Sequence, residues 1–187
     1  VLTLLVALVT SFATSIVAQP CNKINDKKKN MLIALIKKYI YRNNYIMLTL
    51  IKSPFIDYKL TILRNKKTPN SLFRQTMNEI SYLIACEVMK SYEYKKITIE
   101  TPITKTRGTN LSEKIIIVPI LRAGLGLIEG FVKFLPNVEK GHIGLYRDEQ
   151  TYQPVEYLCK LPRVGNKKII ILDPMLATGN SSSAAID

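Results

Sequence analysis

The chain has 187 residues, 47% of them hydrophobic, which suits one domain with a core of its own. Its net charge of +13 invites a nucleic-acid reading, but residues 21–68 hold 12 Lys/Arg against 2 Asp/Glu while residues 69–187 hold 15 against 12, so the excess lies upstream of the segments that carry chemistry. Cys21, Cys86 and Cys159 are odd in number and widely spaced, which excludes a disulfide framework and a zinc pattern and speaks for a reducing compartment.

Val1 to Ala18 is uncharged and largely apolar, and Ile16-Val17-Ala18 is similar to a small-residue cleavage site, yet no basic leading region or initiating Met precedes it. It has the length of a marginal membrane span, interrupted by Thr and Ser. Lys27-Lys28-Lys29 and Lys37-Lys38 then flank the apolar run Met31–Ile36. A presequence, a membrane anchor with a basic flank, and sequence upstream of the true start all fit these residues.

Pro69-Asn70-Ser71 supplies a break and an N-cap. Phe73, Met77, Ile80, Ile84 and Val88 recur at helical spacing and predict an amphipathic helix whose stripe is core. Ile97–Thr101 alternates apolar and polar, as a strand does, and Thr101–Gly108 reads as a polar, basic connecting loop. Lys114 to Leu121 predicts a buried strand, and Pro119, which cannot donate to a ladder, suggests that pairing stops there.

Arg122-Ala123-Gly124-Leu125-Gly126 closes that strand and opens a helix with Leu125, Ile128, Val132 and Leu135 inward. Gly124 and Gly126 allow backbone close to a ligand or a positive φ, and Arg122 offers a fork of donors suited to diphosphate oxygens. A Gly-rich turn with a surface Arg fits the same residues. Gly141–Tyr146 is a third strand, ending in Arg147-Asp148-Glu149, and Val155–Cys159 follows across Pro154 to pair with a neighbour. On its own, Arg147 reads as a loop arginine paired with Asp148 or Glu149. His142 is the only histidine, and without a Ser, Cys or Asp arrangement around it reads as structural, while Cys159 reads as a small core residue.

Ile169-Ile170-Ile171-Leu172 predicts a fully buried parallel strand, with Asp173 at its carboxyl end, where open α/β sheets place their ligands. The small, hydroxyl-bearing Ala177-Thr178-Gly179-Asn180-Ser181 then leads into the helix-like Ser183–Ile186, so backbone N–H groups and a helix dipole converge on one anion. The chemistry suggested is a phosphate cradle beside a carboxylate, against an ordinary strand-to-helix turn. Strands alternating with helices predict an α/β fold, a mostly parallel sheet flanked by helices with right-handed crossovers.

Ile170 to Gly179 resembles the phosphoribosyl-pyrophosphate (PRPP) motif of type I phosphoribosyltransferases, in the wording of the uracil phosphoribosyltransferase family, with Asp173-Pro174 where the wider fold has two adjacent acids. Pro119 to Gly126 resembles that family's pyrophosphate loop over all eight positions, and Gly141 to Pro162 resembles it almost continuously. Ser53-Pro54-Phe55, Lys59-Leu60, Leu63-Arg64, Phe73-Arg74 and Glu79 carry similar wording. The resemblance begins at Met47. It implies a partial phosphoribosyltransferase domain over residues 47–187, with residues 1–46 a presequence, an anchor or, the favoured reading, non-native upstream sequence.

The resemblance implies transfer of ribose 5-phosphate from PRPP to N1 of uracil, giving UMP and pyrophosphate, in pyrimidine salvage. It casts Asp173 as catalytic and Arg122, Gly124, Arg147, Asp173, Pro174, Met175, Leu176, Ala177, Thr178, Gly179, Asn180 and Ser181 as PRPP-binding. Mg²⁺ would be held mainly through PRPP and water, not by protein ligands. A cytoplasmic homo-oligomer with GTP activation is also implied, with no nucleic-acid partner, and with a membrane only if residues 1–18 anchor it. Two departures stand out: Asn180 replaces a second Gly, and the chain stops at Asp187, ahead of the family's Gly-Leu-Gly-Asp-Ala-Gly uracil-recognition segment. The expectation is a C-terminally truncated, inactive fragment with a donor site, no acceptor site and an exposed edge beside Ile169–Leu172. The alternatives are an RNA-binding pyrimidine-operon attenuator of the same fold, against which Pro174 argues, and a non-catalytic remnant.

Overall fold

The structure, a computed structural model, describes residues 3–7, 51, 53–151, 153–175 and 180–186. In chain order the elements are β1 (Thr3–Ala7), α1 (Pro54–Arg64), α2 (Asn70–Met89), β2 (Tyr94–Glu100), β3 (Lys105–Leu111), β4 (Ile115–Leu121), α3 (Leu125–Phe134), β5 (Glu139–Lys140), β6 (His142–Arg147), β7 (Pro154–Lys160), β8 (Lys168–Asp173) and α4 (Asn180–Ile186).

The two uncharged runs lie side by side at the centre. β4 pairs in parallel with β8, from Ile115 opposite Lys168 to Pro119 opposite Leu172. Successive side chains of a strand point to opposite faces. Ile115 and Ile117 therefore join Ile80, Leu127, Phe131, Ile170 and Leu172 under α1–α3, while Ile116 and Val118 meet Ile143 and Ala185 on the other face. Both faces are covered, which is why the sequence runs apolar without alternation.

The sheet order is β1-β8-β4-β6-β7, with β5 pairing the early part of β4. β1, β8, β4 and β6 run parallel, and β7 returns antiparallel to β6 with a register shift between Gly144 and Leu145. This is the expected α/β architecture, a mostly parallel sheet flanked by helices. Pairing does not stop at Pro119 as predicted. β4 faces β8 up to Pro119 and β6 from Ile120 onward, so the residue without an N–H stands where the ladder changes partner.

β1 lies along the outer side of β8, Thr3 opposite Ile169 through Ala7 opposite Asp173. Those residues stand outside the predicted domain, yet here they occupy the edge expected to be exposed. Ile16–Ala18, Lys27–Lys29 and Met31–Ile36 lie outside the described residues. Among the described residues no helix is long and apolar enough to cross a membrane.

Three local expectations need correction. Thr101–Gly108 is not a connecting loop throughout. From Lys105 it is strand β3, antiparallel to β2, with Glu100 opposite Lys105 and Ile97 opposite Gly108. Both strands are largely exposed, so no hydrophobic alternation marks the second. In α3 the buried residues are Leu127, Gly130 and Phe131, and Leu125 is exposed, with Ile128, Val132 and Leu135 only partly buried. In α2 the core face is centred on Ile80, Ser81, Ile84 and Ala85 and leaves Phe73 exposed. α2 and α3 meet at their small residues Ser81 and Gly130, so part of the face that each helix turns inward is made by residues outside the hydrophobic stripe.

Candidate active site

Parallel strands bring their carboxyl ends to one edge of the sheet, and strand neighbours lie about 4.8 Å apart. Asp173 ends β8, Arg122 follows β4 and Arg147 ends β6, and these strands are adjacent in the order β8-β4-β6. Leu121 pairs with Gly144, so Arg147 extends three residues beyond the level of Leu121. The Leu121–Arg122 peptide bond is cis.

Gly124 has φ −60° and ψ −20°, an ordinary helical conformation. Its reason is close packing. A Cβ there would stand 2.7 Å from the Ile120 nitrogen and 2.8 Å from its oxygen, and would run into the Leu172 carbonyl oxygen of β8. The Gly124 N–H already donates to the Ile120 oxygen at 2.8 Å. Of the two uses open to this glycine, positive φ is ruled out, and the close approach is made by neighbouring backbone.

An open cleft of about 780 Å³ lies beside Arg122, lined by Leu121, Arg122, Ala123, Leu145, Tyr146 and Tyr157. The two tyrosine rings stand 6.4 Å apart at 41°. Tyr157 rests on Gly144, where a Cβ would come within 2.5 Å of the ring. Neither tyrosine stood out in the sequence as a site residue. The available signal was an aromatic on each of β6 and β7, the two strands that follow the Arg-bearing turn in the chain.

Arg147 is exposed at the end of β6. Asp148 is engaged in its own turn: Thr151 donates N–H and Oγ1 to its Oδ1 at 2.7 and 2.8 Å, and Gln150 donates N–H at 3.1 Å. The Thr151 N–H first, then its hydroxyl, hold the Asp148 carboxyl below the usual range. This turn, not Arg147, satisfies the acid that could have paired with it.

Asp173 is 8% exposed. Its Oδ2 accepts the Ser182 hydroxyl at 3.2 Å, and its Oδ1 accepts the Met175 N–H at 3.3 Å. Burial pushes its carboxyl up, and the two hydrogen bonds only partly oppose that. Pro174 is partly buried and Met175 exposed. Leu176, Ala177, Thr178 and Gly179 lie outside the described residues, Asn180 begins α4, and Ser181 is partly buried within it. Ser182, one residue past the predicted cradle, was not anticipated; it stands in a run of three serines, Ser181 to Ser183, and nothing in that run singles it out.

Cys159 is exposed, not in the core, because β7, which among the described residues pairs with β6 alone, turns most of its residues to solvent. His142 is partly buried on β6, opposite Lys160. Among the described residues no three of His, Cys, Asp and Glu gather as metal ligands.

A model of the uracil phosphoribosyltransferase family matches residues 50–187. A uracil phosphoribosyltransferase of Finegoldia magna is 53% identical over 140 residues, covering 74% of this chain and 67% of that one. The Clostridium tetani enzyme of the same name is 51% identical over the same shares, and that of Malacoplasma penetrans is 53% identical over 135 residues, 72% of this chain and 66% of its own. The chain thus spans about two thirds of the length of these relatives. Among solved structures, the AQ2163 protein from Aquifex aeolicus superposes with a TM-score of 0.71 at 34% identity, over 75% of this chain and 68% of that one. From these matches, and from a strand-end site on the same α/β frame, the chain belongs to the uracil phosphoribosyltransferase family.

Proposed function

We propose that the protein transfers the phosphoribosyl group of PRPP to N1 of uracil, releasing UMP and pyrophosphate, and so salvages a pyrimidine base. The observation that supports this best is the alignment of Asp173, Arg122 and Arg147 at the carboxyl ends of three adjacent parallel strands. Membership of the family supports it independently, and the RNA-binding alternative has no such support.

In this reading Asp173 receives the ribose hydroxyls and, as positive charge grows at C1 in an oxocarbenium-like transition state, favours it electrostatically. Burial raises the carboxyl's pKa, and a neighbouring positive charge opposes that shift, so charge development at C1 and ionisation of Asp173 favour one another. Arg122, in the cleft, and Arg147 beyond it take the diphosphate oxygens with planar donor forks. Gly124 frames the loop by letting β4 and β8 close on each other. Pro174, Met175 and the segment Leu176–Ser181 cradle the 5′-phosphate at the start of α4.

Mg²⁺ enters as part of the substrate, Mg²⁺–PRPP. The donor set suits this: Pro174 stands beside Asp173 in place of a second acid, and each Asp173 oxygen already accepts a hydrogen bond. A homo-oligomer, GTP activation, residence in the cytoplasm and a catalytic unit spanning residues 47–187 belong to the same reading and are supported by family membership.

The test is incubation of the full-length protein with Mg²⁺, PRPP and labelled uracil, followed by separation of UMP. UMP formation at least ~10-fold above an Asp173→Asn variant is expected, equivalent to about 1.4 kcal/mol of transition-state stabilisation. Equal rates in the two proteins remove Asp173 from the mechanism, and no UMP from either overturns the proposed function.

A further inference from the structure

We propose that Ser182 is a positioning residue for Asp173: its hydroxyl, donated from α4 to Oδ2, fixes the plane of the carboxylate that meets the ribose. The inference rests on the reading of Asp173 as the acid of the donor site. Ser182 is 2% exposed, and a buried hydroxyl is unfavourable unless it finds an acceptor. Its acceptor is Asp173 Oδ2 at 3.2 Å, nine residues earlier in the chain. The other oxygen, Oδ1, is held by the Met175 N–H at 3.3 Å.

The two donors come from opposite ends of the segment that leaves β8 and enters α4, one at its start and one past its end. Rotation of the carboxylate about its Cβ–Cγ bond therefore breaks one or both. The same bond ties the first turn of α4 to the end of β8. The charged groups on neighbouring elements are Arg122 after β4, Glu129 and Lys133 on α3, and Lys168 at the opposite end of β8; α4 carries none. Among the described residues the carboxylate's hydrogen-bond partners are Ser182 and Met175 alone. Among the described residues no cation is in direct contact with it, and the hydroxyl is one of the two groups that hold this carboxylate in one plane.

The experiment compares Ser182→Ala, Ser182→Thr and Ser182→Val in the full-length protein. Thr and Val have nearly the same shape and differ in the hydroxyl, so steric disturbance cancels between them, and Ala removes the hydroxyl without adding bulk. The first readout is titration of the Asp173 carboxyl carbon by ¹³C NMR, which needs no turnover. Its midpoint rises in Ala and Val, which lack the donor to the charged form, and stays at the parent's value in Thr. The second is steady-state kinetics: kcat falls about 3–10-fold in Ala and Val with KM for PRPP within about 2-fold, and Thr recovers it. An unchanged Asp173 midpoint in Ser182→Ala, or identical midpoints in Thr and Val where both fold, overturns the proposal. A shifted midpoint together with an Asp173→Asn variant as active as the parent leaves the Ser182 contact standing and refutes the role given to Asp173 instead.

Discussion

Gly130 of α3 lies directly on Ser81 of α2: a Cβ at position 130 would collide with the Ser81 carbonyl carbon and hydroxyl, and that hydroxyl donates to the Leu127 carbonyl oxygen one turn earlier in α3. Both residues are buried where the two helices cross. Gly130→Ala forces the helices apart and should destabilise the fold by about 1–3 kcal/mol. Urea unfolding should show a lower midpoint with an unchanged slope. An unaltered midpoint would mean the helices separate at no cost, contrary to the packing described.

Asp173 makes stability depend on pH in the sense opposite to most native carboxylates. Burial raises its pKa in the folded chain, so between the ordinary Asp value and that raised value the folded state binds a proton that the unfolded state has released. Stability contributed by this group therefore falls as pH rises through that window, and stays reduced at neutral pH. Asp173→Asn should raise the Tm at pH 7 while removing activity, and its advantage should vanish below the ordinary Asp pKa. A lower Tm at pH 7 would contradict it.

Glu79 has the opposite sign. Lys59 donates to its Oε2 at 2.6 Å and, with Gln75 on Oε1 at 3.0 Å, holds the carboxyl below the usual range. The contribution is present above the unfolded pKa and is lost as pH falls through the folded one. The Lys59 ammonium also lies 5.2 and 5.4 Å from the Phe55 and Tyr58 ring centres. The pair bridges α1 and α2 at the surface, so Glu79→Gln should lower stability by no more than ~1 kcal/mol at pH 7, and by less in high salt. Chemical denaturation at low and high salt checks both statements.

Arg122 and Arg147 should separate by ligand. Replacing either with Ala should weaken PRPP much more than ribose 5-phosphate, which lacks the diphosphate; loss of a charged hydrogen bond of about 1.5–3 kcal/mol is roughly 10–150-fold in Kd. Calorimetry with both ligands decides it. Equal losses for the two would move these arginines away from the diphosphate.

The central strands were legible because a strand covered on both faces must be apolar at every position, and Ile115–Leu121 and Ile169–Leu172 leave no other reading. The strand-end positions of Asp173, Arg122 and Arg147 followed from where those runs stop. The orientation of α2 and α3 was not legible, since they meet at Ser81 and Gly130, which a hydrophobic stripe does not register. The β2–β3 hairpin was half hidden because both its strands face water. Ser182, Tyr146 and Tyr157 take their places through contacts across the fold, for which the local sequence offers no more than an aromatic on each of two successive strands.

The contact between Gly124 and Leu172 bears on how variation at this site should be interpreted. Any side chain at 124 pushes β4 and β8 apart at the point where Arg122 and Asp173 leave their strands. A genetic screen that finds Gly124 intolerant would thus be reporting a misaligned frame, with both functional groups displaced together. Second-site suppressors of such an allele are to be sought among residues that loosen the β8 end, and not among those that strengthen the grip on diphosphate.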